Sequence, residues 1–265
     1  MSRIIACMNE KGGSGKTTTV KNLSVKLAQN GKKVLAIDLD PSANLTSSLG
    51  IRPREDAITI LDILKLSKEC DDIPENYGII HHDEGIDLIT SRKALHDFES
   101  ELNAAFQKEV VLRRFLNDVK DQYDYIFVDC PAGLGIFTVN ALFSADAVII
   151  PVQPQFLGAD AMQVVFEYIA RVRKMNGTKS KPEILGIVFT MVRVNTINDK
   201  EIMTFFRQSY EAKIKVFDTY IPTTVKFSES DGVGQSIYKY ASKSTAAMIY
   251  SDFVKEFMDE EQRRN

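Results

Sequence analysis

One glycine-rich stretch near the amino terminus constrains the fold of this chain more than any other feature. It covers residues 9–18, with the sequence NEKGGSGKTT, and lies between an apolar run at residues 4–8 and apolar residues at helical spacing. Glycines let the backbone turn tightly, so consecutive N–H groups can point at one anion, and the positive end of a following helix adds to that field. The sequence therefore predicts a strand, a phosphate-binding loop and a helix, in this order.

The loop contains candidate phosphate-binding residues. Lys16 and Thr17 match the end of the pattern G-x-x-x-x-G-K-[ST], in which the lysine contacts the terminal phosphates and the hydroxyl binds a magnesium ion. The match is incomplete, because Glu10 occupies the position of the first glycine and a second lysine, Lys11, follows it. The residues predicted to bind the polyphosphate are Gly12, Gly13, Ser14, Gly15, Lys16, Thr17 and Thr18.

The second lysine, Lys11, has two possible interpretations. Most lysines are solvated surface residues. However, Lys11 and Lys16 flank one glycine turn, so both cannot easily serve the same phosphate from the same side. The segment KGGSGKTT resembles the deviant Walker A loop of the ParA/MinD class of ATPases, in which the first lysine reaches across a dimer interface to the partner's nucleotide. The resemblance implies that Lys11 and Lys16 both bind ATP and support catalysis, Lys11 in trans and Lys16 in cis.

Two aspartates follow each other closely at the end of the predicted strand at residues 33–38. Alternation along a strand places Asp38 and Asp40 on the same side, although aspartate before proline is also common in turns and helix caps. The segment DLDPSAN resembles the first switch of the same ATPase class. This implies that Asp40 orients the attacking water and that Asp38 belongs to the magnesium shell. Members of the class often carry Gln-Gly where this chain has Ser42 and Ala43.

A third aspartate ends the apolar run at residues 123–129. A carboxylate at this position is costly unless it is paired or bound to a metal, and ligands bind at this edge of open α/β sheets. Asp129 is therefore predicted to hold magnesium through water, with a helix cap as the alternative. The segment that follows, DCPAGLG, resembles the second switch of the class, with Ala132 and Gly133 in place of Pro-Ser.

The resemblance also implies where the base and the DNA bind. Residues 220–230 are similar to a family segment beside the adenine pocket, with Thr223 in place of an arginine. Met191 and Pro222 are the implied base contacts and Thr190 is a further candidate, with core packing as the alternative for each. The basic residues from which DNA contacts would come are Arg193, Lys200, Arg207, Lys213, Lys215 and Lys226.

Strand and helix patterns alternate along the whole chain. This predicts one α/β domain, residues 1–265, with a twisted, mostly parallel sheet and helices on both faces, which the resemblance identifies as the P-loop NTPase fold. A chain of 265 residues, 44% of them hydrophobic, can bury one large core. An amphipathic pattern predicts a helix at residues 106–122, and a long helix is predicted at residues 158–175, where it ends before Asn176-Gly177.

The cysteines and histidines do not suggest a further site. Three scattered cysteines have neither metal-binding nor disulfide spacing, and the adjacent His81 and His82 are predicted to be surface residues. The sequence shows no signal peptide and no apolar run of membrane-spanning length, so a cytoplasmic protein is expected.

The residues and the resemblance together predict a ParA/Soj-like partition ATPase that uses ATP and Mg²⁺ and associates with the nucleoid. ATP would close a homodimer that holds DNA nonspecifically, and hydrolysis stimulated by a ParB-like centromere-binding protein would release it. The alternatives are a MinD-like membrane-associated ATPase and a non-hydrolysing ATP sensor. Acidic residues at 259–261 argue against a membrane-binding terminal helix, and Asp40 argues against sensing alone.

Overall fold

The structure is a computed structural model that describes residues 2–155, 158–177 and 181–264. Within these ranges a seven-stranded sheet forms the centre of the fold, in the order β3-β4-β2-β5-β1-β6-β7. β3 pairs antiparallel with β4 at one edge, and every other pairing is parallel. The strands are β1 (Arg3–Cys7), β2 (Val34–Asp38), β3 (Ile79–His81), β4 (Asp87–Ile89), β5 (Tyr125–Asp129), β6 (Ala147–Val152) and β7 (Glu183–Phe189). The predicted α/β fold with a mostly parallel sheet is confirmed.

Helices cover both faces of this sheet. They are α1 (Lys16–Gln29), α2 (Asn44–Ser48), α3 (Ile60–Glu69), α4 (Leu95–Ala104), α5 (Val111–Val119), α6 (Ile136–Ser144), α7 (Gly158–Met175), α8 (Ile197–Tyr210), α9 (Val225–Gly232), α10 (Ile237–Tyr240) and α11 (Thr245–Arg264). Successive side chains of a strand point to opposite faces, so Leu35 and Ile37 join one buried core and Val34 and Ala36 join the other. Both faces are therefore apolar, which explains why the strands read as continuous apolar runs.

The helix predicted at residues 106–122 is wrong in its extent. α5 covers only Val111–Val119, and a short 3₁₀ turn flanks it on each side. Gln107 has φ +52°, which no residue of a right-handed helix adopts, and Phe106 is exposed. The amphipathic pattern was therefore correct for the central turns, whereas the helix predicted at 158–175 agrees with α7 over its full length.

His82 is buried, so its prediction as a surface residue is wrong. Its Nε2 donates to the carbonyl oxygen of Leu49 over 2.9 Å, and the backbone N–H of Glu84 donates to its Nδ1 over 3.2 Å. The turn between β3 and β4 directs this ring inward against the end of α2. His81 is exposed, as predicted.

The apolar side of α11 packs into the core. Phe253, Val254 and Phe257 are buried, and the Phe257 ring lies 5.7 Å from the ring of Tyr125. Glu261, one of the acidic residues near the end of the helix, pairs with Arg3 over 3.0 Å. In the described part of the chain, no helix combines the length and the apolar character that crossing a bilayer requires.

Two glycines bring the segment after α2 against the segment after α9. Gly50 and Gly234 both have positive φ, at +75° and +67°, and a Cβ on Gly234 would lie 2.7 Å from the backbone nitrogen of Gly50. Real Cβ atoms do not approach backbone this closely, so the contact depends on glycine at position 234. It fixes the end of α9 and the residues that follow it, 231–235, beside the end of α2.

We predict that Gly234→Ala lowers the free energy of unfolding by about 2–4 kcal/mol. Alanine is strained in the left-handed backbone conformation of this residue, and its methyl group would also overlap the backbone of Gly50. The matched control is Gly31→Ala, which has φ +83° but open space around the added methyl group. It should cost about 1–2 kcal/mol from backbone strain alone. Urea unfolding measures both, and equal losses in the two variants would contradict the close backbone contact.

Candidate active site

The candidate site lies where parallel strands end at one edge of the sheet. Asp38 at the end of β2 is in register with Asp129 at the end of β5, and Asp129 is in register with Cys7 at the end of β1. A cavity of about 900 Å³ opens above this edge. It is lined by residues 12–18, Asp40, Ser42, Asn44, Ser47, Ser48, Gly50, Arg52, Ala132, Met191 and residues 231–234.

The glycine loop has the geometry that the sequence predicted. Gly13 and Gly15 have φ of +68° and +86°, and α1 begins directly after Gly15. Among the described residues, no side chain caps the first turn of this helix. Thr190, directly after β7, stabilises the loop, since its hydroxyl donates to the carbonyl oxygen of Ser14 over 2.7 Å. The free amides at the start of α1 face the cavity edge and suit an anion.

The two lysines of the loop occupy different places. Lys16 is buried, and its Nζ donates to the carbonyl oxygens of Asn9 and Lys11 over 3.4 and 3.3 Å. Lys11 is exposed, and its Nζ donates to Oε1 of Gln155. Gln155 in turn donates to Gln153 over 2.7 Å. Lys16 therefore fills the inside of the loop, whereas Lys11 lies on its exposed rim.

Asp129 offers an unused oxygen to a cation. The hydroxyl of Thr17 donates to its Oδ2 over 2.7 Å, while its Oδ1 is buried and has no hydrogen-bond partner among the described residues. Burial raises the pKa of Asp129 well above its usual range, and the charge of Asp38 adds to the shift. A magnesium ion prefers oxygen ligands, so the Thr17 hydroxyl and the Asp129 carboxylate fit such an ion.

Asp38 is held more tightly by the protein. Its Oδ2 accepts hydrogen bonds from the N–H and the hydroxyl of Thr46 over 2.8 and 2.6 Å, and its Oδ1 accepts from the N–H of Asp40 over 3.2 Å. Burial raises the pKa of Asp38 to about 6. Asp38 thus fixes the start of α2 and the loop that carries Asp40. Its membership of a magnesium shell stays a prediction.

Asp40 lies in the cavity wall and also shapes its own loop. Its Oδ1 accepts from the N–H of Ser42 over 2.8 Å, and its carbonyl oxygen accepts from the hydroxyl of Ser91 over the same distance. Asp40 can therefore stabilise its turn and also take part in the site, since one role does not exclude the other. A partly exposed carboxylate beside the phosphate loop can hold a water for attack on a terminal phosphate.

Of the candidate base contacts Met191 and Pro222, only Met191 lines the cavity. Met191 lines the cavity, is 43% exposed and has φ +52°. Pro222 is not among the lining residues and pairs with Val192 in an isolated bridge.

The part of the cavity wall formed by residues 231–234 was not predicted from the sequence. The paired glycines of Gly232-Val233-Gly234 were the available signal, since they mark a tight turn.

The basic residues proposed for DNA contact do not form one free patch. Lys200 and Lys213 have no ion pair among the described residues. The other four pair within the chain: Arg193 with Asp199, Arg207 with Asp218, Lys215 with Glu256, and Lys226 with Glu229.

Comparison with known proteins decides the family. A family model described as an AAA domain matches residues 2–184. The sporulation initiation inhibitor protein Soj of Bacillus subtilis (strain 168) is 37% identical over 260 residues, which are 97% of this chain and 98% of that protein. The chain belongs to the Soj/ParA family of partitioning ATPases. The resemblance on which the sequence analysis rested is confirmed.

Two solved structures place this Soj/ParA chain in the wider fold. Cobyrinic acid a,c-diamide synthase from Mycobacterium smegmatis, solved with ADP and magnesium, matches with a TM-score of 0.83 at 27% identity, over 100% of this chain and 97% of that chain. The septum site-determining protein MinD from Pyrococcus horikoshii OT3, complexed with Mg-ADP, matches with a TM-score of 0.73 at 27% identity, over 97% and 96%. The predicted P-loop fold is confirmed.

We predict that Asp129→Asn stabilises the ligand-free protein. The raised pKa means that the charged carboxylate destabilises the folded state near neutral pH, and asparagine keeps an acceptor for Thr17 without the charge. The expected gain is roughly 1–2 kcal/mol, or a few degrees in Tm. With a nucleotide present, Mg²⁺ should raise the Tm of the unmodified protein but not that of Asp129→Asn.

Asp124→Asn is the control, because Asp124 accepts from the N–H of Lys33 at the opposite end of β5 in an exposed position. It should change Tm little and keep the response to Mg²⁺. A lower Tm for Asp129→Asn without ligand would show that Lys16 already compensates the Asp129 charge.

Proposed function

We propose that this chain is an Mg-dependent ATPase, converting ATP and water to ADP and phosphate, that partitions DNA. The observation that carries the proposal is the hydrogen bond from Thr17 to one oxygen of Asp129, together with the second, buried oxygen, which has no partner among residues 2–155, 158–177 and 181–264. Nucleotide and magnesium in the structures of related proteins support the same assignment. Its membership of the Soj/ParA family supports the partitioning role.

The residues of the site have separable tasks in this reaction. The loop amides bind the phosphates, and Lys16 neutralises the charge that develops on the transferred group. Thr17 and Asp129 hold the metal ion, which when bound draws charge from the phosphate oxygens. Asp40 positions the attacking water by accepting one of its protons in a hydrogen bond. Met191 borders the base.

Lys11 acts between two copies of the chain in this proposal. Its ammonium lies on the exposed rim of the loop, and its contact there is the neutral side chain of Gln155, with no carboxylate paired to it among the described residues. A cation held this weakly can exchange its partner for a phosphate at little cost. Two protomers facing each other across their cavities would place each Lys11 near the other nucleotide.

The ATP-bound homodimer is the form that holds DNA in this proposal. Lys200 and Lys213, which are not engaged in ion pairs within the described chain, are the first candidates for phosphate contacts, and such contacts weaken steeply with salt. Hydrolysis releases the DNA. Basal turnover is slow and is stimulated by DNA together with a ParB-like centromere-binding protein, and the protein works in the cytoplasm on the nucleoid.

Two observations bear on the alternatives. A MinD-like membrane cycle needs an exposed apolar face on a C-terminal helix, whereas the apolar residues of α11 pack into the core except for Met248, which is 54% exposed. An ATP sensor needs no group to position water, whereas Asp40 lies in the wall of the same cavity as the phosphate loop. Both observations favour the partitioning ATPase.

We predict that Asp40→Ala binds ATP with an affinity close to that of the unmodified protein but hydrolyses it at least about 100-fold more slowly, because the water loses its positioning group. Isothermal titration calorimetry measures the binding and phosphate release measures the turnover. Asp72→Ala, at an exposed aspartate between α3 and β3, is the matched control and should hydrolyse normally. Unchanged turnover in Asp40→Ala would remove Asp40 from the reaction.

We predict that Lys11→Ala keeps nucleotide binding through Lys16 but weakens the ATP-dependent dimer at least about tenfold, as expected for lost charge-assisted hydrogen bonds. Size-exclusion chromatography measures the dimer, and gel retardation of an unrelated DNA fragment at fixed salt measures its consequence. Lys65→Ala, at an exposed lysine of α3, serves as the control. A normal dimer with Lys11→Ala would return Lys11 to an ordinary solvated residue.

A further inference from the structure

A second lysine of α1 is buried completely. Lys21 has no exposed surface, and its Nζ donates to the carbonyl oxygens of Ser48 and Gln235 over 3.3 and 2.9 Å and to Oδ1 of Asp231. These three acceptors use all three donors of the ammonium group. A buried charge without a partner is strongly destabilising, so the position of Lys21 requires the carboxylate of Asp231.

Asp231 also belongs to the wall of the cavity that the phosphate loop lines. Its side chain is 38% exposed although Oδ1 is bound to a buried ammonium. Its Oδ2 accepts no hydrogen bond from any residue that the structure describes. The carboxylate therefore presents one fixed acceptor to the cavity, in addition to the buried carboxylates at the ends of β2 and β5.

The surroundings of Asp231 differ from those of the phosphate loop. Val233 and Met191 both line the cavity and are 56% and 43% exposed. The close approach of Gly234 to Gly50 fixes the backbone of this wall. Exposed apolar side chains with one well-placed polar group are typical of sites that bind the organic part of a ligand. The wall thus suits a nucleoside, with the phosphates at residues 12–18.

We propose that Asp231 accepts a hydrogen bond from the nucleoside of the bound triphosphate, and that Lys21 positions Asp231 for this contact. The donor is a ribose hydroxyl or the exocyclic amino group of the base. The inference rests on the proposed function, since it requires ATP to bind in this cavity. Asp231 would then determine specificity, whereas Lys21 acts through Asp231 alone.

The test compares ATP with analogues that each lack one donor: 2′-deoxy-ATP, 3′-deoxy-ATP and the triphosphate of purine riboside. Calorimetry gives the dissociation constant of each with the unmodified protein and with Asp231→Asn. Hydrogen bonds to charged groups are worth about 1.5–3 kcal/mol, so one analogue should bind roughly 10- to 100-fold more weakly than ATP to the unmodified protein. The analogue that loses affinity identifies the donor.

Asp231→Asn should remove this discrimination. The ammonium of Lys21 will orient the amide oxygen toward itself, which leaves the NH₂ group facing the cavity, where it cannot accept a hydrogen bond. This variant should then bind ATP as weakly as the unmodified protein binds the affected analogue. It should bind the analogue itself within about twofold of the affinity of the unmodified protein, because the hydrogen bond that the substitution removes is already absent with the analogue. Glu229→Gln, in the same helix but outside the cavity wall, should keep the full discrimination.

Lys21→Met tests the positioning role. It removes the group that orients Asp231, so the ratio of ATP to analogue affinity should fall while kcat at saturating ATP stays near that of the unmodified protein. Thermal unfolding checks that this variant, which lacks three hydrogen bonds of the buried ammonium group, still folds. If it does not fold, Asp231→Asn, which keeps an acceptor for Lys21, decides the proposal.

Two results would overturn the inference. One is equal binding of ATP and all three analogues to the unmodified protein. The other is the same discrimination in Asp231→Asn as in the unmodified protein, which would show that Asp231 serves only to neutralise Lys21. Both leave the ATPase proposal intact if ATP binds and Lys16→Ala abolishes binding. An unmodified protein that binds none of the triphosphates would overturn the proposed function as well.

Discussion

Two carboxylates buried next to each other are the constraint on which the site depends. Asp38 and Asp129 lie opposite each other in the register of β2 and β5, and neither has exposed surface. Like charges in a buried position raise each other's pKa and destabilise the ligand-free fold. Hydrogen bonds from Thr46 and Asp40 offset this destabilisation at Asp38, but one oxygen of Asp129 has no hydrogen-bond partner in the part of the chain that the structure describes. The arrangement is one that a bound cation completes.

The short helix α2 links this carboxylate pair to the rest of the cavity. At its start, Thr46 binds Asp38 through both its N–H and its hydroxyl. At its end, the carbonyl oxygen of Ser48 accepts from Lys21, and that of Leu49 accepts from His82. The proposed metal side and the proposed nucleoside side of the cavity are therefore joined by one element of five residues. Asp38 and Lys21, the partner of Asp231, therefore contact opposite ends of the same helix.

Much of this site could be predicted from the sequence because its signals are local. Glycine spacing after an apolar run specified the phosphate loop, and an aspartate at the end of an apolar strand marked the edge at which parallel strands place ligands. The end of α7 followed from Asn176-Gly177, which comes directly after the helix. In these cases the residues that determine the structure lie within a few positions of one another.

The features that were missed depend on contacts between distant parts of the chain. Lys21 and Asp231 are brought together by the fold, and nothing beside either residue indicates its partner. His82 is buried because its turn faces the end of α2, which a local pattern of polar residues cannot show. The helix predicted at residues 106–122 failed for a backbone reason, since Gln107 takes a left-handed conformation in an otherwise helical pattern.

The central claim is that Thr17 and Asp129 form the cation site of this chain. A crystal structure grown with Mn²⁺ and a non-hydrolysable ATP analogue, with anomalous scattering to locate the metal, tests it most directly. We predict a manganese peak between the Thr17 hydroxyl and Oδ1 of Asp129, with the phosphates on the amides of residues 12–18. Nucleotide bound with its metal away from both side chains, or an Asp129 oxygen still without a partner in that complex, would contradict it.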